Sequence, residues 1–347
     1  MYLKKILWAI ALIGLAIVGY FAYYIYSAMM VPNTIFNNEE AYIYIKSTDT
    51  YTEVREQLEP LLRNINKFDA LAKQKKYVSN IKAGKFVIKK GMSNNDIINS
   101  IRSKNIPVRV SFNNQNSIEK LAGRIALQIE ADSLSLLNAM TDEDFYTDNN
   151  FKKETALGMY LPNSYEFFWN TSAEVFRDRM LKEYNRFWNA TRLNKAQAIG
   201  LSKDEVMALA SIVYEESKEP TEQPRIAGVY INRLKIGMPL QADPTLKFAA
   251  YKLPKYKNTV IKRVLNIHKE IDSPYNTYKY AGLPPGLVAM PDLSAIDAVL
   301  HYEKHKYFYF AADTKRIGFH KFAKTLSQHN INAREYQKYL SSQGIYK

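Results

Sequence analysis

The uncharged run from Ile6 to Tyr26 constrains this chain more than any other feature. It has about 21 residues, close to the ~20 that a helix needs to cross the apolar core of a bilayer, so it is predicted to be a membrane-spanning helix. Lys4 and Lys5 precede it and no comparable basic cluster follows, which predicts a cytoplasmic N-terminus and an exported remainder. A cleaved signal peptide is the alternative. Against it, the run exceeds a typical signal core and no clear small-x-small site follows before Val31.

Charge and composition narrow the class of partner. The 347 residues include 48 Lys and Arg against 34 Asp and Glu, a formal net charge of +14. Such an excess predicts an anionic partner, which can be a nucleic acid, a membrane surface or an acidic polymer. Export of most of the chain argues against nucleic acid. The chain has no cysteine, which excludes disulfides and thiolate chemistry.

One pair of histidines has a spacing that can serve a metal ion. His301 and His305 are four residues apart in a predicted helix. No carboxylate pattern of the metalloprotease type accompanies them, and no glycine-rich phosphate loop is found elsewhere. The sequence therefore predicts neither a metal nor a cofactor.

The pattern of apolar and polar residues predicts an α+β fold for the chain after the membrane-spanning helix. In the small module, strand-like segments at 42–45 and 85–88 flank a helix predicted from 50 to 65. The acidic segment 142–150 is predicted to be a loop. The predicted divisions are a cytoplasmic tip and anchor (1–31), a linker (32–40), a small α/β module (41–108), a connecting region that packs on the last domain (109–195), and a mixed α+β domain (196–347).

A carboxyl group at the end of an apolar helix is the strongest chemical signal. Ser202 and Glu205 have the spacing of a capping box, so a helix is predicted to begin there. Apolar residues up to Val213 recur on one face. Glu216 falls beside that face, whereas Glu215 points nearly the opposite way into solvent. Burial and the negative end of the helix both raise a carboxyl pKa, as a general acid near pH 7 requires. The alternative is that both glutamates are the solvated end of a helix.

Polar side chains follow this helix in segments rich in Pro and Gly. Pro224 and Gly237 mark the first turn and the end of a second predicted helix. Hydroxyl, amide and phenol groups on rigid loops suit the recognition of sugar hydroxyls and N-acetyl groups, although structural turns use the same residues. The candidate binding residues are Glu222, Asn232, Arg233, Gln241, Asp243, Tyr275, Asn276, Thr277 and Tyr278.

The ordered motifs of this region carry a family resemblance. They are Ala210-Ser211-Ile212-Val213-x-x-Glu216, Ile231-Asn232-Arg233-Leu234, Leu240-Gln241-x-Asp243-Pro244-Thr245, Tyr275-Asn276-Thr277-Tyr278 and Gly282-Leu283-Pro284-Pro285-Gly286. This series resembles the endolytic murein transglycosylases of the YceG-like (MltG) family over about residues 160 to 332, with weaker support back to residue 40. Tyr214 and Asn163 depart from residues that are often acidic in the family, so neither is given a catalytic role.

The resemblance implies a fold, a reaction and a site. The segment 41–108 is similar in size and pattern to the family's LysM-like module. The family's essential glutamate corresponds to Glu216. Its expected role is to protonate the oxygen between N-acetylmuramic acid and N-acetylglucosamine in nascent glycan strands. The carboxylate then takes the proton of the muramyl C6 hydroxyl, which closes to a 1,6-anhydro end without water.

The same resemblance assigns roles to the other candidates. Glu222 is expected to position other groups, its alternative being a helix-start carboxylate that the helix dipole favours. Arg233 is expected to pair with Glu222, with Asp243 or with a carboxylate of the substrate peptide. Asn232, Gln241, Tyr275 and Asn276 are candidates for holding substrate or stabilising its oxocarbenium form.

Peptidoglycan strands are the implied substrate, and peptidoglycan synthases are possible further partners at the cytoplasmic (inner) membrane. No cofactor is implied. Two alternatives stay open, a non-catalytic peptidoglycan-binding scaffold and a muramidase that uses water. His320 and His329 also match the family pattern, without an assigned role.

Overall fold

The chain has a mixed α+β fold that divides into two compact units. A computed structural model describes residues 2–256, 259–261 and 263–344. The first unit comprises Met1–Val110, Ala126–Ala131 and Tyr165–Ser172, and the second comprises Ser111–Ile125, Asp132–Ser164 and Ala173–Lys347. The region 109–195, expected to connect two domains, is thus shared between the units.

The described residues form fifteen α-helices and six short strands. In order they are α1 (Tyr2–Met29), β1 (Glu40–Ile45), α2 (Tyr51–Leu58), α3 (Ile65–Gln74), β2 (Gly84–Lys89), α4 (Asn94–Ser103), β3 (Pro107–Phe112), α5 (Ile118–Ala126), α6 (Ser133–Met140), α7 (Glu143–Asp148), β4 (Asn163–Phe168), α8 (Ala173–Phe187), α9 (Ala190–Ala198), α10 (Lys203–Glu216), α11 (Gln223–Lys235), α12 (Asp243–Tyr251), α13 (Asn266–Lys269), α14 (Leu293–Leu300), β5 (Tyr309–Ala312), β6 (His320–Ala323) and α15 (Leu326–Ser342). The strands pair as β1 with β2, β3 with β4, and β5 with β6.

The predicted N-terminal helix is present as α1. It has 28 residues and is, among the described residues, the one helix that is long and apolar enough to cross a membrane. Its side chains are exposed as far as Tyr26. Its last turn is held by the module, because Asn94 Nδ2 donates to the carbonyl of Ala28 (2.8 Å) and Lys67 Nζ donates to Ser27 Oγ (2.9 Å).

The segment 32–40, expected to be a linker, is bound to the module at Asn33. Asn33 Nδ2 donates to Asn94 Oδ1 at 2.7 Å, and Asn33 Oδ1 accepts from the backbone nitrogen of Asn64 at 2.9 Å. Asn33 is buried, so these bonds satisfy an amide that would otherwise be costly to remove from water. The polar composition of this segment predicted a linker and did not indicate that Asn33 binds the module.

The first unit has its core between an antiparallel strand pair and three helices. Ile43 of β1 lies opposite Phe86 of β2, and both are buried together with Val54, Phe68 and Ile97 from α2, α3 and α4. The strands predicted at 42–45 and 85–88 are therefore confirmed. The LysM-like nature of this module stays a prediction.

Two sequence predictions of local structure between residues 50 and 150 were wrong. The helix predicted from 50 to 65 ends at Leu58 and passes into a 3₁₀ turn over Glu59–Leu61, because Pro60 has no backbone N–H with which to continue the α-helical hydrogen bonds. Helix α3 then begins after its N-cap, Asn64. The acidic segment 142–150 contains α7 rather than a loop. Asp142 caps this helix by accepting from the backbone nitrogens of Asp144 (3.0 Å) and Phe145 (3.3 Å).

Helix α10 is the centre of the second unit. The predicted capping box is confirmed, because Ser202 Oγ accepts from the backbone nitrogen of Glu205 and Glu205 Oε2 accepts from that of Ser202. Every residue from Val206 to Val213 is buried, against α11, α12 and α14. The helix is thus covered on all sides rather than on the one face that the sequence predicted. Its C-terminal end holds Glu216.

Helix α11 crosses α10 and brings distant segments close to it. Pro224 in its first turn and Gly237 beyond its end (φ +69°) are placed as predicted. Gly228 lets the later chain approach closely, since a Cβ there would lie 2.4 Å from the carbonyl oxygen of Glu303. The prediction of a helix through His301 and His305 is wrong, because α14 ends at Leu300.

Candidate active site

Glu216 is the last residue of α10, where the helix leaves the core. Its Oε1 accepts a hydrogen bond from the hydroxyl of Tyr230 at 2.7 Å, and Tyr230 on α11 is buried. Its Oε2 has no hydrogen-bond partner among the described residues, and Glu216 itself remains partly accessible. Glu215 points into solvent and pairs with Lys218 (2.8 Å). The two orientations predicted from helical spacing are therefore confirmed.

The environment of Glu216 favours the protonated carboxyl. Its pKa is raised from 4.5 to about 7, chiefly by burial. The hydrogen bond from Tyr230 opposes this by stabilising the carboxylate. The negative charge of Asp243 contributes to the raised pKa, whereas the positive charge of Lys247, and that of His320 when its ring is protonated, lowers it. Near neutral pH this carboxyl can give and take a proton.

Asp243 opens helix α12 and is held by Tyr278. The Tyr278 hydroxyl donates to Asp243 Oδ1 at 2.6 Å. Burial, and then the charge of Asp243, raise the Tyr278 pKa, so the phenol keeps its proton. Asp243 is exposed, and its charge acts on Glu216 without a direct hydrogen bond between them. Of the predicted binding residues, Asp243 and Tyr278 are therefore two that interact electrostatically with Glu216.

Thr277 fixes the loop that precedes Asp243. Its Oγ1 accepts from the backbone nitrogen of Ala242 (3.0 Å) and bonds Thr245 Oγ1 (2.8 Å), and its carbonyl accepts from the backbone nitrogen of Gln241 (2.9 Å). Thr277 is buried, so it shapes the loop. Gln241 is exposed at φ +48°, and its side-chain amide has no partner among the described residues. The arrangement leaves the Gln241 amide open to a ligand.

Two further candidates are used inside the fold. Asn276 is fully buried and donates to the carbonyls of Lys269 (2.8 Å) and Ile271 (2.7 Å). Tyr275 is buried against Phe248, with ring centroids 4.5 Å apart, and burial raises its pKa to about 12. These residues set the course of the 271–278 segment.

Asn232 likewise holds backbone. Its Nδ2 donates to the carbonyls of His305 (2.9 Å) and Tyr307 (3.0 Å), which fastens the segment before β5 to α11. We therefore assign it a positioning role.

Arg233 bonds backbone carbonyls instead of acidic side chains. Its Nε donates to the carbonyl of Phe308 and its NH1 donates to that of Leu240, each at 2.6 Å. Among the described residues it forms no ion pair with Glu222 or Asp243, which corrects the pairing expected from sequence. The buried guanidinium joins α11, the 239–240 turn and the start of β5.

Glu222 and His320 form a pair of their own. Glu222 Oε2 lies 2.8 Å from His320 Nδ1, and Glu222 Oε1 accepts from the backbone nitrogen of His320 at 2.7 Å. Although Glu222 stands at the N-cap of α11, its side chain makes no capping bond. His329 stacks on Tyr309 (5.3 Å), and its Nδ1 is buried without a partner among the described residues.

Sequence reasoning missed Tyr230, Lys247 and the place of His320. Tyr230 lies three residues before Arg233 on the same predicted helix, and a buried phenol usually forms a hydrogen bond. Helical spacing alone could thus have indicated it. Lys247 follows Asp243 by one helical turn, a signal that many solvated helices share. In the part of the chain that the structure describes, no cluster of three or more His, Cys, Asp or Glu suits a metal ion.

Comparisons with known proteins agree on one family. The model of the YceG-like family matches residues 43–335. A protein named endolytic murein transglycosylase from Bacillus subtilis (strain 168) is 33% identical over 286 residues, covering 77% of this chain and 75% of that protein. One of the same name from Streptococcus pneumoniae serotype 2 is 26% identical over 348 residues, covering 92% of this chain but only 62% of that protein. The crystal structure of a yceG-like protein from Listeria monocytogenes superposes with a TM-score of 0.57 at 26% identity, covering 85% of this chain and 99% of that one.

Proposed function

The chain belongs to the YceG-like family, and we propose that it is an endolytic murein transglycosylase with Glu216 as its acid and base. The single observation that carries this proposal is the state of that carboxyl. It is desolvated enough to hold a proton near pH 7, yet one of its oxygens has no partner among the described residues. Both properties are needed by a group that must give a proton to a substrate.

The proposed reaction uses Glu216 twice. The protonated carboxyl first gives its proton to the oxygen between N-acetylmuramic acid and N-acetylglucosamine, and the bond from muramyl C1 to that oxygen breaks. The carboxylate then takes the proton of the muramyl C6 hydroxyl as this oxygen bonds to C1. The products are a free N-acetylglucosamine hydroxyl and a 1,6-anhydro end, so atoms and protons balance without water.

Tyr230 supports both steps from the side away from the substrate. Its bond to Oε1 stabilises the carboxylate that forms after the first transfer, and it leaves Oε2 for the reaction. Asp243 and Tyr278 supply fixed negative charge and a protonated phenol beside the acid. The exposed amide of Gln241 is the proposed contact with a sugar hydroxyl or N-acetyl group.

A muramidase that uses water is the second candidate. The observation in its favour is Asp243, a second carboxylate close enough to raise the Glu216 pKa, because glycosidases that use water work with two carboxyl groups. A non-catalytic wall-binding scaffold is the third, and the retained acid argues against it.

Product analysis separates the three. The purified full-length chain is incubated with peptidoglycan glycan strands, and the ends are identified by mass spectrometry. Internal cuts with 1,6-anhydro ends are expected. Reducing ends with added water would replace the proposal by the muramidase, and uncut strands would replace it by the scaffold.

We also propose that α1 anchors the chain in the cytoplasmic membrane with Lys4 and Lys5 inside. Because the chain has no cysteine, single cysteines placed at the exposed positions Leu3 and Lys338 can be labelled without background. An impermeant maleimide should label the second in spheroplasts and the first only after lysis. The opposite pattern would reverse the orientation. Peptidoglycan synthases as partners stay a prediction from the family resemblance.

A further inference from the structure

The pair formed by Glu222 and His320 has no part in the reaction described above. Both carboxylate oxygens of Glu222 accept from His320, one from Nδ1 (2.8 Å) and one from the backbone nitrogen (2.7 Å). Only 4% of the Glu222 side chain and 13% of the His320 side chain are exposed. A buried carboxylate devoted to one imidazole fixes the ring's orientation, as carboxylates do for histidines in metal and catalytic sites.

This pairing determines which nitrogen can meet a ligand. The nitrogen beside the carboxylate, Nδ1, must carry a proton, so in the neutral ring Nε2 is a hydrogen-bond acceptor. Within the described residues, Nε2 of His320 has no partner. It is also not among the fully buried polar atoms that lack one. The free nitrogen is therefore within reach of a molecule from solution.

The His320 ring is connected to Glu216 through two aromatic side chains. It packs edge-on against Phe310 with ring centroids 5.1 Å apart. Phe310 packs in the same way on Tyr230 at 5.8 Å, and Tyr230 holds Glu216. A continuous series of contacts thus connects the Glu222–His320 pair with the proton-transferring carboxyl.

We propose that His320 is a substrate-binding residue whose Nε2 accepts a hydrogen bond from a hydroxyl group of the glycan beside the bond that Glu216 cleaves. Glu222 is its positioning residue. The inference rests on the proposed function, because it takes the molecule that binds beside Glu216 and His320 to be a glycan. It adds a second contact point, on β6, to a site otherwise built on α10, α11 and α12.

Two substitutions divide the functions of the ring. His320→Asn keeps a donor near the position of Nδ1 and removes Nε2, whereas His320→Gln reaches toward the position of Nε2 and gives up the bond to Glu222. Both are made in full-length Glu216→Gln protein, which should bind strands without cutting them. The probe is a peptide-free glycan strand of eight alternating sugars, titrated calorimetrically. His301→Gln, at an exposed position after α14, is the control.

One lost hydrogen bond should weaken binding by His320→Asn about tenfold. His320→Gln should lose less affinity, and the control should bind like the Glu216→Gln parent. Unchanged affinity of a folded His320→Asn protein would overturn the inference. If that variant does not fold, the ¹⁵N shift of Nε2 in the parent decides. It should move when the strand is added, and an unmoved resonance would be contrary to the proposal.

The proposed function is tested by a different assay. Cleavage to anhydro ends by the wild-type chain, together with full binding by His320→Asn, overturns only the role of His320. Failure of the parent to bind the strand overturns that role together with the glycan as ligand.

Discussion

The hydroxyl of Tyr230 lies 2.7 Å from Oε1 of Glu216, across the contact between α11 and α10. Tyr230 is buried and its pKa is raised well above 10, so it remains a donor over the working pH range. It stabilises the carboxylate form of a side chain whose burial favours the acid form. The proton affinity of Glu216 is therefore a balance between desolvation and one phenol.

Removing that phenol should raise the Glu216 pKa above about 7. In Tyr230→Phe the carboxylate loses a charge-assisted bond, which corresponds to about one pKa unit. Since the first step needs the protonated acid, the alkaline limb of the kcat/KM profile should move to higher pH. The control is Tyr214→Phe, on the other side of α10. A limb that stays in place or moves to lower pH would contradict the assigned balance.

Removing the charge of Asp243 should have the opposite sign. Asp243 raises the Glu216 pKa, so Asp243→Asn should lower it by less than about one unit and move the alkaline limb to lower pH. The asparagine oxygen can still accept from Tyr278, which keeps the loop in place. Asp272→Asn, at an exposed position bonded to Tyr280, is the matched control. An upward shift in Asp243→Asn would show that its charge does not act on the acid.

The raised pKa also predicts a pH-dependent stability. Folded Glu216 keeps its proton up to about pH 7, whereas the unfolded chain loses it near 4.5. Its contribution to stability is therefore complete below pH 4.5 and is lost as the pH rises through 7. At pH 4.5 Glu216→Gln should have the same free energy of unfolding as wild type. At pH 8 it should be more stable than wild type by up to about 3 kcal/mol. Thermal midpoints measure this, with Glu215→Gln as the control. A difference that is equal at both pH values would contradict the burial of the carboxyl.

Arg233 should stabilise the fold around the site. Its guanidinium reaches the carbonyls of Leu240 and Phe308 together, which a single lysine nitrogen cannot do. Arg233→Lys should lower the free energy of unfolding by about 2 kcal/mol. Arg225→Lys on the same helix, an exposed partner of Glu303, should change it by less than about 0.5 kcal/mol. Equal effects in denaturant unfolding would show that the two carbonyl bonds are unimportant.

Local signals predicted much of the fold. The capping box at Ser202 and the apolar run after it were enough to place α10 and to orient Glu216, because both depend on helical spacing alone. The break after Leu58 was missed although Pro60 was visible, since the apolar period continues across it. Burial of α10 on every side depends on helices far along the chain, and no local pattern reports that.

The candidate site was predicted less completely, for a physical reason. Polar residues on turns have the same sequence signal whether they bind ligands or fasten backbone. Asn276 and Thr277 are fully buried and fasten backbone. The partners that matter for chemistry are remote, with Tyr230 14 residues from Glu216 and His320 98 residues from Glu222.

Glycan cleavage by Glu216→Gln beside Glu215→Gln tests the central claim most directly. Glutamine keeps the acceptor for Tyr230 but cannot give or take the proton, so formation of 1,6-anhydro ends should fall by about 10³-fold or more. Glu215→Gln should cleave like wild type, because that residue is exposed and forms an ion pair with the exposed Lys218. Anhydro ends formed by Glu216→Gln at a rate near that of wild type would contradict the assignment of the acid and with it the mechanism.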